Sequence, residues 1–518
     1  MNIRLADMVV VALYFLGISA FGVYFSKKNK TTEDYFLGNR SFPGWAIGLS
    51  MVGTSISSVS FLALPGDTFK TTWMRAAVHW YLPIATLVSA LIFIPFYRRS
   101  KATTAYEFLE GRWGSGIRIY ASSMYYPAQL LRISTILYLL AQLMHTILGW
   151  PILLCVLIGG VVVSFYTIAG GIEAVVWTDV VQTIILVLGG FLILGVIIRD
   201  VPGGFGELVR IGLADHKLTY GEMLSDGTVA PPNWSFNFSQ KTLSILFLMA
   251  ILNGIVYMCS DQNLVQRYCA AKSTKEAKKA LWITCWTSIP IWAYFCFLGT
   301  ALYVFFKYFP TEKAMDILNG TNGAKAEEIL PYFVTNYLPL GFAGLVVASC
   351  LAAAMSSLDS SINSISTVFV NDLYRRYLKP GRSDKHYLKV AHRSALFAAL
   401  FMVGGATLLV ITPTQTLQDT IFKIQAFLGN GIAIIFLLGM LTKIGSVRTL
   451  VPAIAFIYLF KLWVLLGNTG ILPASCILPI DQYYIGITGE ALGVVIVLIL
   501  TLVLPKTKKD LTGYTVWG

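Results

Sequence analysis

The chain has 518 residues, of which 56% are hydrophobic and 13% charged, and it carries a formal net charge of +13. Water-soluble domains devote about 25% of their residues to charge, so this composition excludes an ordinary solvent-facing exterior and requires one that faces lipid. The positive excess does not point to nucleic acid, because it falls in loops on one face of the expected bundle, where anionic lipid is the default partner.

An apolar run of about 20 residues spans the hydrocarbon core. Thirteen such runs are expected, at roughly 5–25, 43–66, 76–97, 120–148, 151–168, 176–198, 242–260, 281–306, 337–370, 390–411, 417–441, 446–467 and 482–504. The first lacks a small-residue cleavage site and reads as a membrane anchor rather than a signal peptide. Thirteen crossings put the termini on opposite sides. The connections around 26–41, 97–119, 261–281, 371–393 and 442–449, with the tail from 505, hold 26 of the 39 Lys and Arg, against 10 on the other face. The N-terminus is therefore expected outside and the C-terminus in the cytoplasm. The seven cysteines are scattered through apolar segments without CxxC spacing and read as small buried hydrophobes.

Along the chain, the second run is interrupted at Gly53-Thr54-Ser55-Ile56-Ser57-Ser58-Val59-Ser60, where five hydroxyls compete with the helix ladder. An unwound segment is expected, its freed carbonyls lining a cavity or holding an ion. Arg132 lies deep in the fourth run, within PAQLLRISTILYLL. A charge at that depth is a functional hypothesis by default, and guanidinium matches a carboxylate bidentately; snorkelling and a structural ion pair are the competing readings. Asp179 stands near the start of the sixth run as a buried carboxylate or a helix cap, and a short amphipathic helix is expected near Phe205–Leu213. The seventh run has Asn253-Gly254 at the place corresponding to the second run's break, five spans on. Paired breaks suggest an inverted repeat with a midplane site.

The ninth run carries the densest polar cluster, Ala353 to Ser364, with Ala353, Ser356, Ser357, Ser360 and Ser364 on one helix face and Asp359 beside them. Hydroxyls at this density also serve helix packing. With a carboxylate and carbonyls they form the oxygen set of a hard, weakly bound cation such as sodium. Lys423 is a further charge within the eleventh run.

The segments TEDYFLG with Arg40 and PGWA, FYTIAGGIEAVVWTD, DQNLVQRY and AAAMSSLDSSINSISTVF together make the chain resemble the sodium:solute symporter family, and within it the bacterial sialic acid symporters, over almost its full length. The resemblance implies an all-α polytopic membrane protein of LeuT type with 13 transmembrane helices. Residues 1–41 would form an extra helix and loop, 42–241 and 242–441 the two inverted five-helix repeats, and 442–518 two further helices and a tail. It implies a main sodium site at Gly53, Ile56, Ala353, Ser356 and Ser357, and a second at Asp179, Ser356, Asp359 and Ser360. At Asp359 the sialic acid relatives carry serine. Solute contacts would come from Ser55, Ser57, Ser60 and Arg132. Arg75 and His79 stand where those relatives have phenylalanine and glutamine.

The expected function is sodium-coupled import of a small anionic solute, sialic acid foremost, by alternating access across the inner (plasma) membrane. The expected partners are sodium, the solute and the bilayer, with no organic cofactor, no nucleic acid, no enzyme activity and a monomeric chain. The rivals are a sodium symporter for a sugar, proline or a monocarboxylate, and a proton-coupled carrier with Asp179 or Asp359 as its proton site. Uptake with choline in place of sodium separates the latter.

Overall fold

The computed structural model of the chain describes residues 5–26, 29–56, 58–223, 228–237, 242–412, 431–468, 472–473, 478, 484–505 and 510–517, with the side chains of Ser58, Val59, Arg75 and Asn468 outside the description. The principal helices in chain order are α1 (Leu5–Ser26), α2 (Gly44–Ser55), α3 (Ser58–Lys70), α4 (Ala76–Arg99), α5 (Glu107–Trp113), α6 (Ser115–Leu148), α7 (Ile152–Asp200) and α8 (Gly204–Ala214). They continue as α9 (Leu243–Ser260), α10 (Gln262–Ala270), α11 (Thr274–Tyr308), α12 (Phe342–Leu378), α13 (Asp384–Ile411), α14 (Ile432–Leu441), α15 (Val447–Asn468) and α16 (Ile485–Val503). Among the described residues ten helices are long and apolar enough to cross a membrane, and α2 with α3 makes an eleventh span bent by 57°.

That bend is the expected interruption of the second run. Ile56 adopts an extended conformation at the end of α2 (φ −103°, ψ 103°), so the last turn of α2 ends against the next helix rather than continuing into it. The break releases backbone groups that would be intolerable in lipid and are tolerable only against protein or a cavity.

The fifth and sixth expected spans lie in one 49-residue helix, α7. At 1.5 Å per residue it would be about 73 Å long, more than twice the roughly 30 Å hydrocarbon core, and it is broken at Gly171 (φ 56°, ψ −153°). A side chain there would meet the Tyr35 carbonyl at 2.7 Å, so close approach and positive φ both require glycine. The seventh run corrects the sequence reading. α9 runs unbroken through Asn253-Gly254, and the chain leaves helical geometry only at Asp261 (φ −73°, ψ 120°). Gly254 serves packing instead, since a Cβ there would overlap the Tyr81 ring. The amphipathic helix expected near Phe205–Leu213 is α8, and of the eleventh run only α14 falls within the described residues.

Burial identifies the centre. In the most apolar stretch of α12, 83% of residues are buried, against 17% in α16, so α12 is the axis of the bundle and α16 a peripheral helix. α12 packs on α7, α1, α6 and α2. Its start is held by α1, where the buried Asp7 carboxylate accepts from Gly341 N and Gly344 N at 3.0 and 2.8 Å. This is a capping interaction supplied from a different helix.

Candidate functional site

The break after α2 and the polar face of α12 meet. Ser356 Oγ donates to the Gly53 carbonyl at 2.9 Å and to the Ala353 carbonyl at 3.2 Å. Ser357 Oγ donates to the Thr54 carbonyl at 3.2 Å. Gly53, Thr54, Ile56, Ala353, Ser356 and Ser357 are all buried. Four of the five residues expected at the main sodium site are thus in direct or adjacent contact, and Ile56 is the residue at which the helix breaks. The donor set is two hydroxyls and several carbonyls, all neutral oxygens, which suits a hard monovalent cation that must also leave. Gly53 also admits a close approach to α7: a Cβ there would lie 2.5 Å from Thr183 Oγ1, which would have to move.

The second expected cation set has a different occupant. Asp179 is fully buried, and its Oδ2 accepts from Ser50 Oγ at 2.6 Å and from Arg267 Nη2 at 2.8 Å. The same Nη2 donates to Ser360 Oγ at 2.6 Å and to Thr54 Oγ1 at 2.9 Å, while Nε donates to Ser50 Oγ at 2.8 Å and Nη1 to the Asn263 carbonyl at 2.9 Å. A guanidinium therefore stands where the oxygens of α2, α7 and α12 converge. Ser356 faces Gly53 instead of this cluster. Asp359 sits at its edge, Oδ2 accepting from the Tyr166 hydroxyl at 2.7 Å and Oδ1 from Ser360 N and Oγ at 2.5 and 3.2 Å.

Sequence reasoning missed Arg267. It lies in DQNLVQRY, within a stretch read as a basic cytoplasmic loop, where an arginine is unremarkable. The stretch is instead α10, and all nine of its residues are buried. The available signal was polar residues at 262, 263, 266 and 267 alternating with Leu264, Val265 and Tyr268, a pattern that gives a helix two differently committed faces. Gln266 completes the seal: its Nε2 donates to the Phe36 carbonyl and Asn363 Oδ1 at 2.7 Å each and to Thr367 Oγ1 at 3.0 Å. α10 is thereby locked across α12.

Of the residues expected to meet the solute, Arg132 is half-buried and makes neither a hydrogen bond nor an ion pair within the described residues. It is a cation at membrane depth with its fork of donors uncommitted. Ser55 Oγ turns back to the Val52 carbonyl at 2.8 Å, and Ser60 is half-buried on α3. His79 stacks on Trp292 of α11 with ring centroids 3.9 Å apart and planes 13° from parallel, which fixes its ring. Ser57, the side chain of Arg75 and Lys423 lie outside the described residues.

With this geometry in place, the comparisons with known proteins are specific. The model of the sodium:solute symporter family matches residues 35–445. The sodium/sialic acid symporter of Proteus mirabilis is 33% identical over 432 residues, covering 83% of each chain. That of Aliivibrio fischeri is 29% identical over 459 residues, covering 88% of this chain and 87% of that one. The sodium/glucose cotransporter of Vibrio parahaemolyticus is 28% identical over 474 residues, covering 88% and 85%. A substrate-bound, outward-open structure of a sodium-coupled sialic acid symporter superposes with a TM-score of 0.85 at 28% identity, over 98% of this chain and 100% of that one. A closed structure of Mhp1, a nucleobase-cation-symport-1 family transporter, superposes at 0.50 with 14% identity, over 92% and 97%, a likeness of fold alone.

Proposed function

The chain belongs to the sodium:solute symporter family, and on that premise we propose that it imports a sialic acid, N-acetylneuraminate, together with sodium by alternating access. It is a transporter and not an enzyme. The observation that carries the proposal is the buried oxygen cluster of Gly53, Ala353, Ser356 and Ser357, joining a broken helix to the central one.

Sodium enters from outside to the Gly53 and Ala353 carbonyls, the hydroxyls of Ser356 and Ser357, and the Ile56 position at the break. Each serine rotates its proton away from the carbonyl it now serves and offers a lone pair. Holding α2 to α12 in this way favours the outward-facing state, in which Arg132 receives the solute carboxylate and Ser55, Ser57, Ser60, Arg75 and His79 complete the solute contacts of this reading. Differential affinity of the two states for sodium drives the coupling. At about 100 mV each inward charge contributes roughly 2.3 kcal/mol. Asp179, Ser356, Asp359 and Ser360 form the second cation set of this reading, reached when Arg267 withdraws from Asp179. Release to the cytoplasm requires Arg267 and Gln266 to give up their partners on α7 and α12.

The topology in this reading has thirteen crossings, with two five-helix inverted repeats at 42–241 and 242–441, the N-terminus outside and the C-terminus in the cytoplasm. The chain acts as a monomer in the inner membrane. The break at Gly171, which divides α7 into two stretches of crossing length, supports this count. The relation to a sodium/glucose cotransporter favours a sugar as the second reading of the solute. A thermal-shift screen against N-acetylneuraminate, glucose, proline and pyruvate, each with and without sodium, tests the proposal. Stabilisation by N-acetylneuraminate that needs sodium is expected, and stabilisation by glucose alone would replace it.

A further inference from the structure

The segment Asp510–Trp517 has no helix or strand, yet it is seated. Thr515 is fully buried, and its carbonyl accepts from Arg99 Nη2, at the end of α4, at 3.0 Å. Val516 N donates to the Met440 carbonyl at 3.0 Å, and the Trp517 indole donates to the Leu441 carbonyl at 2.6 Å. Tyr514 lies so close to Gly111 of α5 that a Cβ at Gly111 would overlap its ring.

This seat is chemically specific. Met440 and Leu441 are in the last turn of α14, whose carbonyls have no partner further along their own helix. The segment supplies those partners. α5 and α14 are joined without it, because Trp113 Nε1 donates to the Ile435 carbonyl at 3.0 Å and Arg112 Nε to the Gly439 carbonyl at 3.2 Å. The end of α4 meets that corner differently, by an edge-on contact of Phe96 with Phe108 at 5.2 Å. Apolar contact is non-directional and permits sliding, whereas the Arg99–Thr515 bond fixes a register. The corner also borders a cleft of about 700 Å³ lined by Arg118, Arg375, Arg376, Arg382 and Tyr514, so Tyr514 forms one wall of a polar cavity between the cytoplasmic loops.

We propose that Asp510–Trp517 is a strap received by a groove between α4, α5 and α14, and that it holds the end of α4 on the α5–α14 corner and so retards opening to the cytoplasm. The strap rests on the alternating-access reading above. Opening must separate elements at this face, and the segment is bonded to both sides of the gap.

The test uses Cys269, a buried thiol on α10 whose carbonyl accepts from Arg98 Nη1 at 2.8 Å. Its alkylation by N-ethylmaleimide, read by peptide mass spectrometry on the purified full chain, reports opening of the cytoplasmic side. Removing residues 510–518 is expected to speed alkylation about tenfold, the equivalent of one to two net hydrogen bonds. Trp517→Ala, which removes only the indole bond, is expected to give about fivefold and decides the question if the truncated chain does not fold. Equal rates in the intact chain and the variants would overturn the strap. Sodium is expected to slow alkylation of the intact chain. A truncation effect without a sodium effect upholds the strap and overturns the sodium reading, and a sodium effect without a truncation effect does the reverse.

Discussion

Replacing Arg267 by methionine keeps the apolar stem of the side chain and removes its guanidinium and charge. In the native chain the guanidinium makes five hydrogen bonds to side-chain and backbone oxygens around Asp179, and the ion pair itself is 2.8 Å long with both partners almost wholly buried. Breaking a buried pair from one side leaves an uncompensated charge and costs about 3–5 kcal/mol. The same principle predicts that the double variant Arg267→Met with Asp179→Asn recovers most of that loss, because no charge is then stranded. Unfolding is readable with a thiol-reactive dye in detergent, since six cysteines among the described residues are buried. The single variant should unfold at clearly lower temperature, and the double variant close to the parent. A double variant no more stable than Arg267→Met alone would show that the cost is not a stranded carboxylate and would refute the reasoning.

Three further outcomes follow from the placements above. Ser356→Ala removes a hydroxyl that bridges Gly53 and Ala353, and should raise the sodium concentration for half-maximal uptake about tenfold, the scale of one hydrogen bond to a charged group; unchanged sodium dependence would count against the whole site. Arg132→Lys should weaken a carboxylate solute about tenfold through loss of bidentate geometry, with the unfolding midpoint unaltered, and undiminished uptake would remove Arg132 from the solute site. Gly254→Leu should destabilise by about 1–3 kcal/mol through overlap with Tyr81, measured with the same dye.

The membrane-spanning elements were legible because lipid imposes length and apolarity directly on sequence, and the α2–α3 break was legible because glycine followed by hydroxyls weakens a helix locally. The pairing of Gly53 with Ser356 came from the family resemblance, because the polar face of α12 does not by itself say which element it meets. Gly254 misled because a glycine that unwinds a helix and one that admits a neighbouring ring look alike in sequence; only Tyr81, far away in the chain, tells them apart. Arg267 was hidden for a related reason. A basic residue between two apolar runs ordinarily marks a solvated loop; the alternation over 262–268 signals a helix, but only Asp179, far away in the chain, tells where that helix packs. The strap at Asp510–Trp517 was invisible because each of its hydrogen bonds to the bundle ends on a backbone carbonyl, which every residue possesses.

The central claim is sodium-driven uptake of a carboxylated sugar. The direct measurement is uptake of radiolabelled N-acetylneuraminate into proteoliposomes containing the purified chain, at fixed pH, with an inward sodium gradient and with choline replacing sodium. The account predicts accumulation with sodium and its loss with choline. Undiminished accumulation in choline would contradict it.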